Sequence, residues 1–152
     1  MGFVSGGFMY GKVRGVDRAV CGRSAVRAMA EEWTPVGTVE ELNAEGGKKV
    51  VKIDSGKVLI KEFAGDVFAM SNSCPHLNLP LEGKILKADY TSTGSIVCSA
   101  HKTAFNMKTG DVVGEWCPGM PKLPFVGKMK EENPLKVYPT KVEDGSIFVN
   151  VA

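Results

Sequence analysis

The sequence predicts an all-β fold, and three observations predict it. Short runs rich in Val, Ile and Leu recur along the chain, most of them too brief for a helix of ordinary length. Turn residues separate them: 18 glycines and 8 prolines are spread over the 152 residues, so many turns and few long helices are expected. Consecutive runs are joined tightly enough to favour an antiparallel meander.

Taken in order, residues 33–39 (Trp33 to Val39) make a candidate first strand, and Glu40 to Asn43 a single helical turn before Glu45-Gly46-Gly47 breaks the chain. Residues 48–53 and 57–63 flank Asp54-Ser55-Gly56 as a hairpin, and Ala64-Gly65-Asp66 turns into a third strand over 67–71. A turn-rich block follows to Gly83, then a short strand at 84–86, a polar loop at 89–94 and a strand at 95–99. Residues 104–107 resume a strand, Lys108-Thr109-Gly110-Asp111 turns, and residues 116–134 read as an irregular loop rich in Pro and Gly. The end is a hairpin: residues 135–142 and 146–151 surround Glu143-Asp144-Gly145. Ile147, Val149 and Val151 alternate with Phe148 and Asn150, so one face of that last strand should be buried. One domain covers residues 31–152.

The first 30 residues differ from the rest. Lys12, Arg14, Arg18, Arg23 and Arg27 stand against Asp17 alone, a net of +4, so a whole-chain charge of +2 leaves −2 for the remainder. A basic, acid-poor leader of this kind reads as an organelle transit peptide over residues 1–30, with Val26-Arg27-Ala28 resembling a plastid processing site. The plastid stroma is the expected location, with the mitochondrion or cytoplasm as alternatives. The overall charge is too small for a nucleic-acid partner, and no apolar run approaches the roughly 18 residues of a membrane span. Of four cysteines, Cys21 lies in the leader, Cys74 and Cys98 each stand near a histidine, and Cys117 has no evident partner. A disulfide scaffold is therefore not expected, and Cys117 reads as a small buried hydrophobe.

The informative residues are few. Cys74-Pro75-His76 is a C-x-H pair and Cys98-Ser99-Ala100-His101 a C-x-x-H pair, and these are the two histidines of the protein. Two thiolates and two imidazoles make a four-ligand metal set. A structural Zn²⁺ in a Cys₂His₂ site is physically allowed, although zinc fingers usually keep cysteines in one pair and histidines in the other. Mixed pairs suit a cluster whose two irons differ, one bound by sulfur and one by nitrogen.

Residues 74–81 (Cys74-Pro75-His76-Leu77-Asn78-Leu79-Pro80-Leu81) resemble the first cluster loop of the Rieske family, C-x-H-x-G-x-P-L. Cys98 to Gly110 resembles the second, C-x-x-H-G-x-x-F and a turn glycine, with Phe105 and Gly110 in place. The resemblance covers residues 45–151, and the stretch 117–134 looks like the proline-containing third loop. It implies a Rieske-like antiparallel β-sandwich or barrel with a small cluster-binding subdomain made of loops, and one [2Fe–2S] cluster held by Cys74, His76, Cys98 and His101. Two positions depart from the pattern, Asn78 and Lys102, where glycine is usual. Asn tolerates a left-handed turn better than Lys does.

The resemblance also implies a potential. The cysteines that bridge the cluster loops in respiratory and photosynthetic Rieske proteins are replaced by Leu79 and Ala100. The Ser and Tyr whose hydroxyls stand beside the cluster sulfurs are matched by Thr103 and Phe105: Phe105 cannot donate, and the Thr103 methyl group is expected to turn its hydroxyl away. Fewer hydrogen bonds to sulfur mean a low potential, around −150 mV rather than near +300 mV. Each imidazole should keep one ring nitrogen near solvent as the electron's exit. Leu77, Leu79, Pro80 and Pro124 are candidates for an apolar docking patch, and Lys84, Lys87 and Lys102 for steering an acidic partner.

The implied function is that of a Rieske-type ferredoxin: a monomeric, soluble one-electron carrier, not itself an enzyme, between a reductase and an oxygenase or other acceptor. The alternatives are a Rieske-like subunit, or an assembly or structural factor, of a larger photosynthetic or nitrite-reductase-like complex.

Overall fold

The computed structural model describes residues 32–119 and 131–152. Residues 1–30, expected as a transit peptide and including Cys21, lie outside the described residues, as does Pro124.

The first strand, β1 (Trp33–Thr38), gives way to a short helix, α1 (Val39–Ala44). Thr38 starts that helix: its hydroxyl accepts from the Glu41 N–H at 3.2 Å, and Glu41 Oε2 accepts in return from the Thr38 N–H at 3.4 Å. This reciprocal cap satisfies two amides that a helix start otherwise leaves open. Leu42 then points inward and is buried. The meander follows as β2 (Lys48–Ile53), β3 (Gly56–Phe63) and β4 (Asp66–Ser71), paired antiparallel in the order the turns dictate.

Two-residue and three-residue strands dominate the next section: β5 (Asp89–Tyr90), β6 (Ser95–Val97), β7 (Ala104–Asn106) and β8 (Val112–Val113). They form one antiparallel sheet in the order β5-β6-β7-β8. The chain closes with β9 (Val137–Tyr138), β10 (Thr140–Glu143) and β11 (Ser146–Asn150). β9 joins the edge of the meander beside β4, while β11 pairs with both β10 and β1. The fold is almost all β, as expected.

Some local expectations need correction. Residues 84–86 form no strand, and the polar stretch 89–94 begins with one. The single strand expected over 135–142 is two strands, β9 and β10, with Pro139 between them. Proline there has no N–H to give to a ladder.

The meander is a shared wall. Leu59 and Met70 pack toward β5–β8 with Ile96, Phe105, Met107 and Leu135. Their neighbours Val58, Ile60 and Ala69 pack the other way, with Leu42, Tyr138, Ile147 and Val149. Successive side chains of a strand alternate faces, so an unbroken apolar run such as Val58-Leu59-Ile60 serves two cores at once. The four-stranded sheet β5–β8 stands against this wall; the first Cys/His pair lies in the loop that leaves β4, and the second in the loop between β6 and β7.

Candidate metal centre

The two Cys/His loops repeat one backbone design. In the first, the Cys74 N–H donates to the Leu79 carbonyl at 2.8 Å, and the Asn78 N–H donates back to the Cys74 carbonyl at 2.8 Å. In the second, the Cys98 N–H donates to the Thr103 carbonyl at 2.9 Å, and the Lys102 N–H to the Cys98 carbonyl at 2.8 Å. In each loop the fourth residue after the cysteine turns left-handed, with φ of 55° at Asn78 and 61° at Lys102. These are the two positions where glycine was expected. Both take the tight turn without it.

Each thiol sits in a pocket of its own loop's amides. The N–H groups of His76 and Leu77 reach Cys74, and those of Ala100 and His101 reach Cys98. Two converging N–H dipoles favour an anionic sulfur. The two thiols are free and face each other as hydrogen-bond donor and acceptor. Cys98 is held below the usual thiol range as the acceptor of that bond, and Cys74 is pushed well above it by the same bond and by burial.

The ligating atoms converge. Those of Cys74, Cys98 and His101 lie within 4.8 Å of one another, as do those of His76, His101 and Cys117. Cys74 Sγ is 2.9 Å from His101 Nε2, and the two imidazole rings meet edge to face at 4.6 Å. Burial, then the neighbouring His76, lowers the His101 pKa, which favours the neutral ring that a metal ligand requires. A donor set of two amide-cradled thiols and two buried imidazoles, one of each from either loop, fits a cluster with unlike irons.

Structure behind the loops fixes them. The first is closed by a bridge between Ser73 and Pro80. Beyond that bridge the buried Asn72 side chain both donates to and accepts from the Glu82 backbone, at 2.7 Å each way. The second is held by β6 and β7 on either side. Gly110 lies at φ 81°, where a Cβ would run into the Leu135 carbonyl, so the turn glycine of the motif is required by packing as well as by φ.

One expectation fails. The imidazoles are not at the surface: His76 is 3% exposed and His101 0%. Trp116 lies edge-on to His76 with ring centres 5.6 Å apart, and Cys117 to Gly119 lie against the second loop. Cys117, read from sequence as a buried space-filler, is half-buried beside both histidines. It is fastened to Thr103, whose Oγ1 accepts from the Cys117 N–H at 2.9 Å and donates to Cys117 Sγ at 3.6 Å. The same hydroxyl oxygen lies 3.1 Å from His101 Nδ1. Sequence spacing carried no hint of this contact.

Of the proposed docking residues, Leu77 is 42% exposed, Pro80 is exposed and Leu79 half-buried. Lys84, Lys87 and Lys102 are exposed, with Lys102 3.6 Å from Asp89. Ile85, expected within the short strand 84–86, is 94% exposed between two of those lysines. Its neighbour Leu86 is apolar too, so no alternation along the chain marks Ile85 as exposed.

Residues 32–139 match the family model described as Rieske [2Fe-2S] domain. A 3-phenylpropionate/cinnamic acid dioxygenase ferredoxin subunit of Photorhabdus laumondii is 28% identical over 117 residues, covering 77% of this chain and 92% of the relative. An apoptosis-inducing factor 3 of Homo sapiens is 35% identical over 94 residues, covering 61% of this chain and 14% of the relative. Among solved structures, the ferredoxin of carbazole 1,9a-dioxygenase from Nocardioides aromaticivorans shares the fold, with a TM-score of 0.59 at 21% identity, covering 78% of this chain and 96% of the other. The terminal oxygenase of carbazole 1,9a-dioxygenase from Novosphingobium aligns at a TM-score of 0.63 and 27% identity, covering 80% of this chain and 30% of the other.

Proposed function

From the premise that the chain belongs to the Rieske [2Fe–2S] family, we propose that Cys74 and Cys98 bind one iron of its cluster and His76 and His101 the other. The chain is a one-electron carrier with a Rieske-type cluster, and it works with redox partners rather than as a catalyst on its own. When bound, the cluster supplies reversible one-electron storage. The residues supply the rest. The four amides stabilise negative sulfur, Leu81, Phe105 and Met107 keep the cysteine side dry, and Trp116 shields the histidine side.

The observation that carries the ligand assignment is the paired loop geometry: two equivalent turns, each carrying one sulfur and one imidazole, whose donor atoms fall in two groups that share His101. The test is anaerobic purification followed by iron analysis and low-temperature EPR of the reduced protein. A mixed-ligand spectrum that is lost on replacing Cys74 or Cys98 supports the assignment, and a colourless zinc protein refutes it.

The finer reading is a ferredoxin that passes electrons from a reductase to a terminal oxygenase. Its support is that the match runs through nearly the whole of a dioxygenase ferredoxin subunit but under a third of a terminal oxygenase. Leu77, Pro80 and Ile85, flanked by Lys84, Lys87 and Lys102, make the docking face for an acidic acceptor in this reading. Gel filtration should give a monomer, and a stable large complex from native tissue would instead favour a subunit role. The potential is expected at the low end, around −150 mV, because Phe105 has no hydroxyl and the Thr103 proton is engaged by Cys117. A spectroelectrochemical midpoint above about +100 mV refutes this. The basic excess of residues 1–30 supports plastid import, which a fluorescent fusion of that segment tests.

A further inference from the structure

Two groups of metal-capable side chains meet at His101, one of Cys74, Cys98 and His101 and the other of His76, His101 and Cys117, so the pair holds five such residues, one more than a Rieske cluster takes. The fifth is not there by loose packing. Cys117 adopts φ 52°, a conformation uncommon for a residue with a side chain. Its N–H and its sulfur are both bonded to Thr103, two residues beyond His101. Just past it, the Gly119 N–H donates to the His101 carbonyl at 3.1 Å. A Cβ on Gly119 would come within 2.9 Å of Lys102 Cγ and 3.1 Å of the His101 carbonyl carbon, so the strap lies flat on the second loop. Cys117 therefore travels with His101, while His76 arrives on a different loop.

The geometry points to Cys117 as a reserve ligand for the histidine-side iron, able to take the place of His76 and give a centre with three sulfurs and one imidazole. This inference rests on the ligand set proposed above. In the exchange, the His76 ring nitrogen releases iron and the Cys117 thiol loses its proton to solvent and binds as thiolate. No electron is transferred. An anionic sulfur then stands where a neutral ring stood, so the exchanged centre has the lower midpoint potential.

The test compares purified wild-type protein with Cys117→Ser, His76→Ala and the double variant, by iron and sulfide content, EPR and midpoint potential. Cys117→Ser should keep the wild-type spectrum, since serine preserves the N–H bond to Thr103. His76→Ala should keep about two irons per chain, with an EPR spectrum shifted toward that of all-cysteine clusters and a lower midpoint. The double variant should lose its iron. If His76→Ala loses iron as fully as the double variant, Cys117 is no ligand and the inference fails. If His76→Ala keeps the unshifted wild-type spectrum, with or without Cys117, the ligand assignment itself fails instead. Should His76→Ala not fold by circular dichroism, His76→Asn takes its place under the same criteria, and iron loss there overturns the inference.

Discussion

The two Cys/His loops share a backbone and differ in two places. Each closes with the same pair of hydrogen bonds and a left-handed fourth residue. The imidazole stands two residues after the cysteine in the first loop and three after it in the second. The left-handed position holds Asn78 in one and Lys102 in the other. The shared part teaches what the sulfur needs: a turn that aims two amides at it. The first difference places the histidines differently relative to their cysteines, so that both rings reach one centre. The second is a matter of local strain, and there the loops should behave unequally.

Equivalence of the loops predicts that Cys74→Ser and Cys98→Ser are equally damaging. Each should abolish the cluster's visible absorption, because each removes the sulfur its loop's amides are built to receive. A variant that kept full iron content would break the pairing. Removing the cluster from the intact protein is the next largest perturbation. Metal binding contributes to folding where a site is assembled from loops, so amides of residues 74–79 and 98–103 should exchange faster in the apoprotein, by mass spectrometry. The long pairings β2–β3 and β3–β4 should stay protected, since their stability comes from the two apolar cores. Equal loss of protection in both regions would show that the cluster organises the whole fold.

The packing behind the loops gives a third comparison. Leu81 follows the first loop and Phe105 the second, and both are buried in the same core. Phe105→Ala should cost about 3–5 kcal/mol and Leu81→Ala about 2–5 kcal/mol, read by urea denaturation of the holoprotein. A cost under about 1 kcal/mol at either site would mean that its loop is held by hydrogen bonds alone.

What the sequence disclosed follows from the same physics. The meander was legible from its apolar runs and the final hairpin from its alternation, each with an Asp-Ser-Gly or Asp-Gly turn, because these are local signals. The two Cys/His pairs were legible as a candidate site because their chemistry depends on residue type and short spacing. β5 and β8 were missed, since strands of two residues are too short to show a period. The histidines' burial and the Thr103–Cys117 contact were missed for another reason. They join residues 14 apart through a hydroxyl and a thiol, and no pattern along the chain records a tertiary hydrogen bond.

The smallest effect separates the loops most cleanly. A left-handed conformation costs an ordinary L-residue roughly 1–2 kcal/mol, and Asn less because its short polar side chain suits that region. Glycine removes this strain but adds freedom to the unfolded chain, a loss of roughly 0.4–1 kcal/mol. Lys102→Gly should therefore stabilise the protein by about 0.5 kcal/mol, even though it removes the exposed contact to Asp89, which at 3.6 Å between two solvent-facing groups contributes little. Asn78→Gly should be neutral or slightly destabilising, because there is less strain to relieve. Thermal melts of the two holoproteins measure the difference. If Asn78→Gly stabilises as much as Lys102→Gly, residue type at the turn does not matter. If Lys102→Gly destabilises instead, the lysine side chain, packed against Gly119, holds the strap in place over the histidines.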